Sequence, residues 1–306
     1  MSNNNILKGV FLVGLGATSY GMLATFVKLA YHDKGVTGLP FTPAEVISSQ
    51  FIIGILALLL INAFRKKKTD EPKATKTDIK QLLLAGTSTG LTSIFYYMAV
   101  KFIPVSIGIV LLMQTVWIGV LLEMFLDKKR PSPLKIAAVF VVLIGTALAT
   151  NLVENVAGLD WRGLVLGLLA AASFTTTMFT SNRIAVSLSS SLRSLYMLLG
   201  GAVVILFFAL ATQHTPFNYD IFYKWGLFVA IFGTIIPPIL LNMGFPKTGI
   251  GLGSIVSALE LPVSVTMAWL LLHEKVTALQ WFGIALILFA IVIMNVNFRK
   301  GKRKNT

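Results

Sequence analysis

Ten stretches of this sequence stay apolar for about twenty residues each, and that pattern restricts the chain to one kind of fold. They run approximately over 7–31, 42–64, 78–100, 104–126, 134–151, 162–185, 191–212, 222–243, 248–272 and 277–298. A helix needs roughly 20 apolar residues to cross a bilayer core. The expected architecture is an all-α membrane protein with ten transmembrane helices. Composition agrees: 56% of residues are hydrophobic and 12% are charged, against about 25% charged in a soluble domain. A mean hydropathy of +0.81 excludes both a water-soluble core and a disordered chain. Prolines and charges punctuate the runs: Pro40 and Pro43 before the second, Arg65 to Lys68 after it, Pro131 and Pro133 before the fifth, and Pro216 before the eighth. The longest connection, about 65–77, is a charged linker and no second domain.

The charge is lopsided, with 26 Lys and Arg against 12 Asp and Glu, a net of +14. In a soluble protein that balance would suggest nucleic acid. Here it orients the chain, because cytoplasmic loops collect Lys and Arg. With a cytoplasmic N-terminus, 20 of the 26 cations fall in inner segments and five (Lys34, Lys101, Arg162, Lys224 and Lys275) in outer ones. Both termini are therefore expected in the cytoplasm, in a bacterial-type inner membrane. Arg65 to Lys68 and the basic tail 299–306 would face anionic headgroups. The expected partners are the bilayer and a small-molecule substrate; nucleic acid is not one, and a homodimer is left open.

Several chemistries are excluded. There is no cysteine, so no disulfide or thiolate site. His32, His214 and His273 are scattered without metal-ligand spacing, and no GxxxxGK[ST] phosphate loop is present. Gly14 and Gly16 lie inside an apolar run and form no dinucleotide fingerprint. The first run lacks a convincing cleavage site and reads as a retained span. No cofactor and no metal are expected, and no enzyme activity.

The halves resemble each other. A shift of 145 aligns Pro133-Leu134-Lys135 with Ala278-Leu279-Gln280, Ile107-Gly108 with Leu252-Gly253, and Tyr97-Met98-Ala99 with Asn242-Met243-Gly244. A shift of 154 places Gly9 on Gly163 and Ala17 to Tyr20 on Ala171 to Phe174. Five spans is an odd number, so the second repeat, 162–298, would run upside down relative to the first, 7–151. Inverted repeats give two near-equivalent packings around a site at the midplane.

Glu260 to Pro262, Leu272 to Lys275 (including His273 and Glu274) and Gln280-Trp281-Phe282-Gly283 carry a family resemblance. A proline in the penultimate span, a glutamate in the next turn and a glycine in the last span are similar to the pattern of EamA-type permeases of the drug/metabolite transporter superfamily. The resemblance covers about residues 7–298. It implies a cavity formed largely by the first, third, fourth, sixth, eighth and ninth spans, and efflux of amino-acid-like or drug-like solutes. Lys129 stands where the first half aligns with Glu274, and Ser19-Tyr20-Gly21 stands where many members carry a tryptophan before the glycine.

Charges inside spans are costly, and each needs a reason. Glu260 sits near the centre of the ninth span on a stripe of Gly249, Gly253, Ser257 and Ser264. The aligned stripe, Pro104, Gly108, Leu112, Thr115 and Gly119, carries no acid. Glu260 is expected to bind a cationic substrate group or carry a coupling proton; the bland alternative is a helix-locking hydrogen bond. Ser257, Trp117 and Gln114, Asn242, Tyr97 and Ser93, Ser173 and Thr177, and Ser19 are expected to line the substrate site with it. For each serine or threonine, bonding to its own helix backbone is a strong alternative. Lys28 and Glu45 are expected to pair at the interface. Pro237, Pro238 and Pro262 free backbone carbonyls and would act as hinges or as tolerated kinks. The function expected is secondary transport of a small organic metabolite by alternating access, in the export direction, coupled to protons or exchange. A pore or a non-transporting structural membrane protein is the alternative.

Overall fold

The computed structural model describes residues 3–36, 38–65, 72–103, 105–128, 130–150, 160–273 and 275–303, with the side chains of 3, 105, 106 and 295–303 outside that description. Lys66, Lys67, Lys68, Pro104, Lys129, Glu274 and the tail from Lys304 onward also lie outside the described residues. Among those described, the only pairing of extended segments is one isolated bridge between Lys34 and Pro40; everything else is helix and connection. The helices are α1 (Asn3–His32), α2 (Pro43–Phe64), α3 (Lys76–Ala99), α4 (Val105–Leu112), α5 (Thr115–Asp127), α6 (Pro133–Ala149), α7 (Trp161–Arg183), α8 (Ser190–Thr212), α9 (Leu227–Ala230), α10 (Ile236–Thr248), α11 (Ile250–Ser257), α12 (Glu260–Leu271) and α13 (Ala278–Arg303). Two π-helical turns, Phe222–Gly226 and Ile231–Ile235, flank α9 and join it to α10.

Seven described stretches are long and apolar enough to cross a membrane, and Pro133–Ala149 and Ala278–Met294 are shorter apolar helices. The third expected run is the 24-residue α3, whose hydroxyl-rich sequence keeps it out of that apolar set. The expected ten is therefore met only in part by length and composition. The outer surface is apolar: Phe11, Phe64, Phe125, Phe140, Phe207 and Leu210 are all exposed. So many large exposed side chains suit lipid and not water. The chain is a multi-pass membrane protein.

Local chemistry explains the helix ends and breaks. Thr42 and Glu45 form a capping box at the start of α2, as Thr75 and Asp78 do for α3, satisfying N–H groups that the first turn leaves without partners. The α11–α12 break falls at Ala258-Leu259, four residues before Pro262, whose ring has no N–H to give the Ala258 carbonyl. The α4–α5 break at Met113-Gln114 has another cause. The Gln114 side chain donates Nε2–H to the Val110 carbonyl at 3.0 Å, the acceptor its own backbone N–H would take in a regular helix. That N–H turns to Leu111 O instead. Pro237 and Pro238 likewise withdraw donors from Gly233 and Thr234, where the second π turn lies.

Val105, Thr115 and Pro133 begin helices in the first half, and Ile250, Glu260 and Ala278, each 145 residues later, begin helices in the second. Packing follows the same rule. α1 packs on α10 and α7 on α3, while α5 crosses α11 and α6 packs on α13. A methyl on Gly9 would meet Lys247 Cβ at 2.7 Å and Thr248 Cγ2 at 2.9 Å. On Gly163, 154 residues later, it would meet Ile103 at 2.6 Å and Phe102 at 3.1 Å, the residues 145 before Thr248 and Lys247. With lipid no less apolar than a helix surface, such close backbone approach is what holds spans together.

Candidate functional site

A cavity of about 500 Å³ lies among α1, α2, α3, α4, α7, the second π turn and α12. Its deep end holds Glu260, Ser264, Tyr20, Phe174 and Thr177, and its exposed rim is formed by His32, Pro40 and Lys101. It therefore opens on the face that carries the α1–α2 and α3–α4 connections. Among the described residues the Glu260 carboxylate has no hydrogen-bond or ion-pair partner. The break before α12 places Glu260 at a helix start, and Gly21 lets α1 approach it: a methyl there would sit 2.5 Å from Glu260 O. Tyr20 and Tyr96 are close enough to feel the carboxylate's charge. Tyr20 meets Phe174 edge to face at 5.9 Å, and Tyr97 stands edge-on to both Tyr31 and Tyr96 at 6.2 Å. Three buried polar atoms of cavity residues, Tyr31 Oη, Gln50 Oε1 and Thr89 Oγ1, have no partner among the described residues. Unpaired buried polar atoms are costly, and these three lie around one cavity.

Of the residues expected from the sequence to line the substrate site, Glu260, Tyr97, Ser93 and Thr177 are brought together in this cavity. The others lie off it. Ser257 is buried and donates to Gly253 O within its own helix at 3.0 Å. Gln114 breaks the fourth span, and Trp117 donates Nε1–H to Gln114 Oε1 at 2.8 Å from a partly exposed surface position. Asn242 is buried between α10 and α8, donating to Ser194 Oγ at 2.9 Å. Ser19 donates to Phe232 O at 3.3 Å, and Ser173 is half-buried on α7 away from the lining. Sequence reasoning missed Gln50 and Tyr31. The second span is not in the set that the resemblance implies, yet α2 contributes Gln50 and Phe51. Gln50 was readable as an amide well inside an apolar run.

The rim is held by polar links between sequence-distant loops. Trp225 Nε1–H donates to Asp33 at 2.8 Å, and Lys224 pairs with the same carboxylate at 3.2 Å. The Trp225 bond first, and then Lys224, holds the Asp33 carboxyl below the usual aspartate range. Glu45, expected to pair with Lys28, instead accepts from Thr42 N, Gln213 Nε2 and Asn218 N at 2.8–3.0 Å.

Polar links also cross the opposite face. Lys135 pairs with Glu123, and Arg183 with Asp127. Arg193, one of the 20 cations assigned to the inner segments, is 1% exposed in α8. It donates to Ile184 O, Asn242 O, Thr180 O and Ser181 O at 2.8–3.1 Å. Ser181 lies in the last turn of α7, where carbonyls lack intrahelical donors, and Thr180 O, which also takes the Ile184 N–H, gains a second donor. Asn242 O is the carbonyl that Pro246, inside α10, leaves without an N–H. One guanidinium thus closes two helix defects and pins α7, α8 and α10 together.

Comparisons with known proteins agree with this architecture. A Synechocystis sp. protein described as the uncharacterized transporter sll1319 is 22% identical over 96% of this chain and 95% of its own length. A solved crystal structure of a protein 15% identical superposes with a TM-score of 0.75, covering 93% of this chain and 97% of that one, a likeness of fold alone. The name of the Synechocystis relative, taken with the family match, points to a transporter rather than an enzyme. The model of the EamA-like transporter family matches twice, over residues 7–151 and 161–296, and the chain belongs to that family.

Proposed function

We propose that this protein is a secondary active transporter whose solute carries an ammonium group that binds Glu260. The observation that carries the reading is a cavity that opens on one face and has, at its deep end, a carboxylate without a partner among the described residues. A desolvated anion without a partner is costly, and a cation arriving through the cavity, organic ammonium or proton, removes that cost. Tyrosine faces around it add cation–π attraction. In this reading ten spans form two inverted five-helix repeats, 7–151 and 162–298. The repeats exchange packings by alternating access, in the export direction, driven by protons or by exchange. Both termini, with the tail 299–306, are in the cytoplasm and the inner membrane holds the chain. The offsets of 145 and 154 in helix starts and crossings support the repeat, and the cation asymmetry supports the orientation. The cavity mouth is then on the outer face, and Glu123–Lys135, Asp127–Arg183 and Arg193 close the inner one.

The test is uptake into proteoliposomes of a panel of amine-bearing metabolites, with and without an imposed pH gradient. Uptake of at least one class is expected to saturate and to be competed by its analogues. Non-saturating electrical conductance would instead identify a pore, and absence of any flux across the panel would leave the structural role.

A further inference from the structure

A second set of polar atoms faces the cavity on the wall away from Glu260, and it narrows the solute beyond a simple amine. Pro237 and Pro238 have no N–H, so the Gly233 carbonyl lacks both its α-helical and its π-helical donor. The Ile236 N–H turns to Ile231 O, so residues 236 to 238 give that oxygen nothing. Beside it, Gln50 is 3% exposed, and its Oε1 has no partner among the described residues. A methyl on Gly233 would collide with Gln50 Nε2 and lie 3.1 Å from its Cδ. Both residues line the cavity, as does Thr89, whose Oγ1 is likewise buried without a partner among the described residues. A methyl on Gly201 would meet Phe51 Cε1 at 2.8 Å and Gly90 N at 3.1 Å. Gln50 and Thr89, each one residue earlier, are therefore at one level. Their place relative to Glu260 can be read along α1. Gly21 abuts the Glu260 backbone, and Leu23 Cδ2 would lie 3.0 Å from a methyl on Gly233. Two residues are about 3 Å of rise and about 200° of turn. Glu260 and Gly233 thus lie at similar depth, on opposite flanks of the α1 face that bears Tyr20, Ala24, Val27 and Tyr31.

The Gln50 and Gly233 oxygens are both acceptors and both uncharged, and the Thr89 hydroxyl can also donate. A carboxylate has no hydrogen to give the two acceptors. A second ammonium would bring a desolvated charge to neutral partners. A primary carboxamide has the matching set: two N–H donors for Gln50 Oε1 and Gly233 O, and a carbonyl for the Thr89 hydroxyl. We propose that the solute carries, besides the ammonium group at Glu260, a primary carboxamide held by Gln50, Gly233 O and Thr89 on the opposite wall. This rests on the reading that Glu260 receives an ammonium group.

The test uses the purified full-length protein in nanodiscs and five probes: 3-aminopropanamide and 6-aminohexanamide, the methyl esters of the same two amino acids, and hexylamine. Each ester keeps the ammonium group, the chain and the carbonyl of its amide and lacks only the N–H donors. Calorimetric titration is expected to show at least one amide binding about tenfold tighter than its ester, because buried acceptors left unpaired penalise a ligand without donors. In Gln50→Leu that ratio should fall about threefold or more, as the loss of one of two acceptors implies; titration of the same variant with hexylamine checks that the site is folded. In Glu260→Gln the amide, the ester and hexylamine should all weaken together. If neither amide binds tighter than its ester, or if Gln50→Leu leaves the ratio unchanged, while hexylamine binds the wild-type protein in a Glu260-dependent way, the carboxamide proposal is overturned and the ammonium site stands. If none of the amines binds in a Glu260-dependent way, both fall.

Discussion

Replacing Glu260 with glutamine is expected to weaken binding of an ammonium-bearing ligand about a hundredfold while leaving the fold intact or firmer. The two effects have opposite signs because the group serves ligand and not protein. In the free protein the carboxylate opens on the cavity without a partner among the described residues, so removing its charge relieves a desolvation cost. In the complex the same change deletes one member of a buried charge pair, a loss of about 3 kcal/mol, which is close to two decades of affinity. The check is paired: thermal stability of the ligand-free variant, and its titration with the amine that the wild-type protein transports. A structural glutamate locking two helices would behave in reverse, losing stability and keeping affinity.

Arg193 should show the converse pattern. Arg193→Met is expected to destabilise the protein by about 3 kcal/mol or more, because a charged donor with four acceptors is lost and buried carbonyls are left unpaired. Two of the acceptors lack helix donors, Ser181 at the end of α7 and Asn242 opposite Pro246; the others are Ile184 just beyond α7 and Thr180, which also takes the Ile184 N–H. Arg193→Lys should recover only part of the loss, since an ammonium is a compact point charge and lacks the planar fork that reaches three segments at once. The measurement is the unfolding midpoint of each variant in one detergent. A midpoint unchanged in Arg193→Met would show that water replaces the guanidinium at those carbonyls, and the inner closure would need another explanation.

Much of the architecture was legible in the sequence, for physical reasons that also mark where legibility stops. Apolar run length reports span number because bilayer thickness is fixed, and it fails for α3 because a cavity-lining helix trades apolar residues for hydroxyls. The shift of 145 seen in Ile107-Gly108 and Leu252-Gly253 reappears in the starts of α4, α5 and α6 against α11, α12 and α13. Glu260 stood out because an intramembrane acid is expensive wherever it sits. Ser93, Tyr97 and Thr177 reached the cavity through helix periodicity. The same reasoning placed Ser257, Asn242, Ser19 and Ser173 on the site, but periodicity fixes which residues share a face and not what that face meets. Ser257 bonds its own helix, and Asn242 and Ser19 face neighbouring helices. Gln114 and Trp117 bond to each other at the break, a local use of an amide that no pattern of polarity distinguishes from ligand binding. Arg193 was counted with the inner segments because it stands three residues into α8. Its partners are backbone carbonyls on α7 and α10, which carry no side-chain signature.

The central claim is a single bounded site reached from one side at a time, and the absence of cysteine makes it directly measurable. Ser93→Cys puts one thiol in the cavity wall of an otherwise thiol-free chain. In oriented vesicles, a membrane-impermeant thiol reagent should label it from the outer face, a transported amine should protect it, and labelling from the inner face should arise only when substrate is present. Labelling from both faces at once, in the absence of any substrate, would contradict the account and make the cavity the vestibule of a pore.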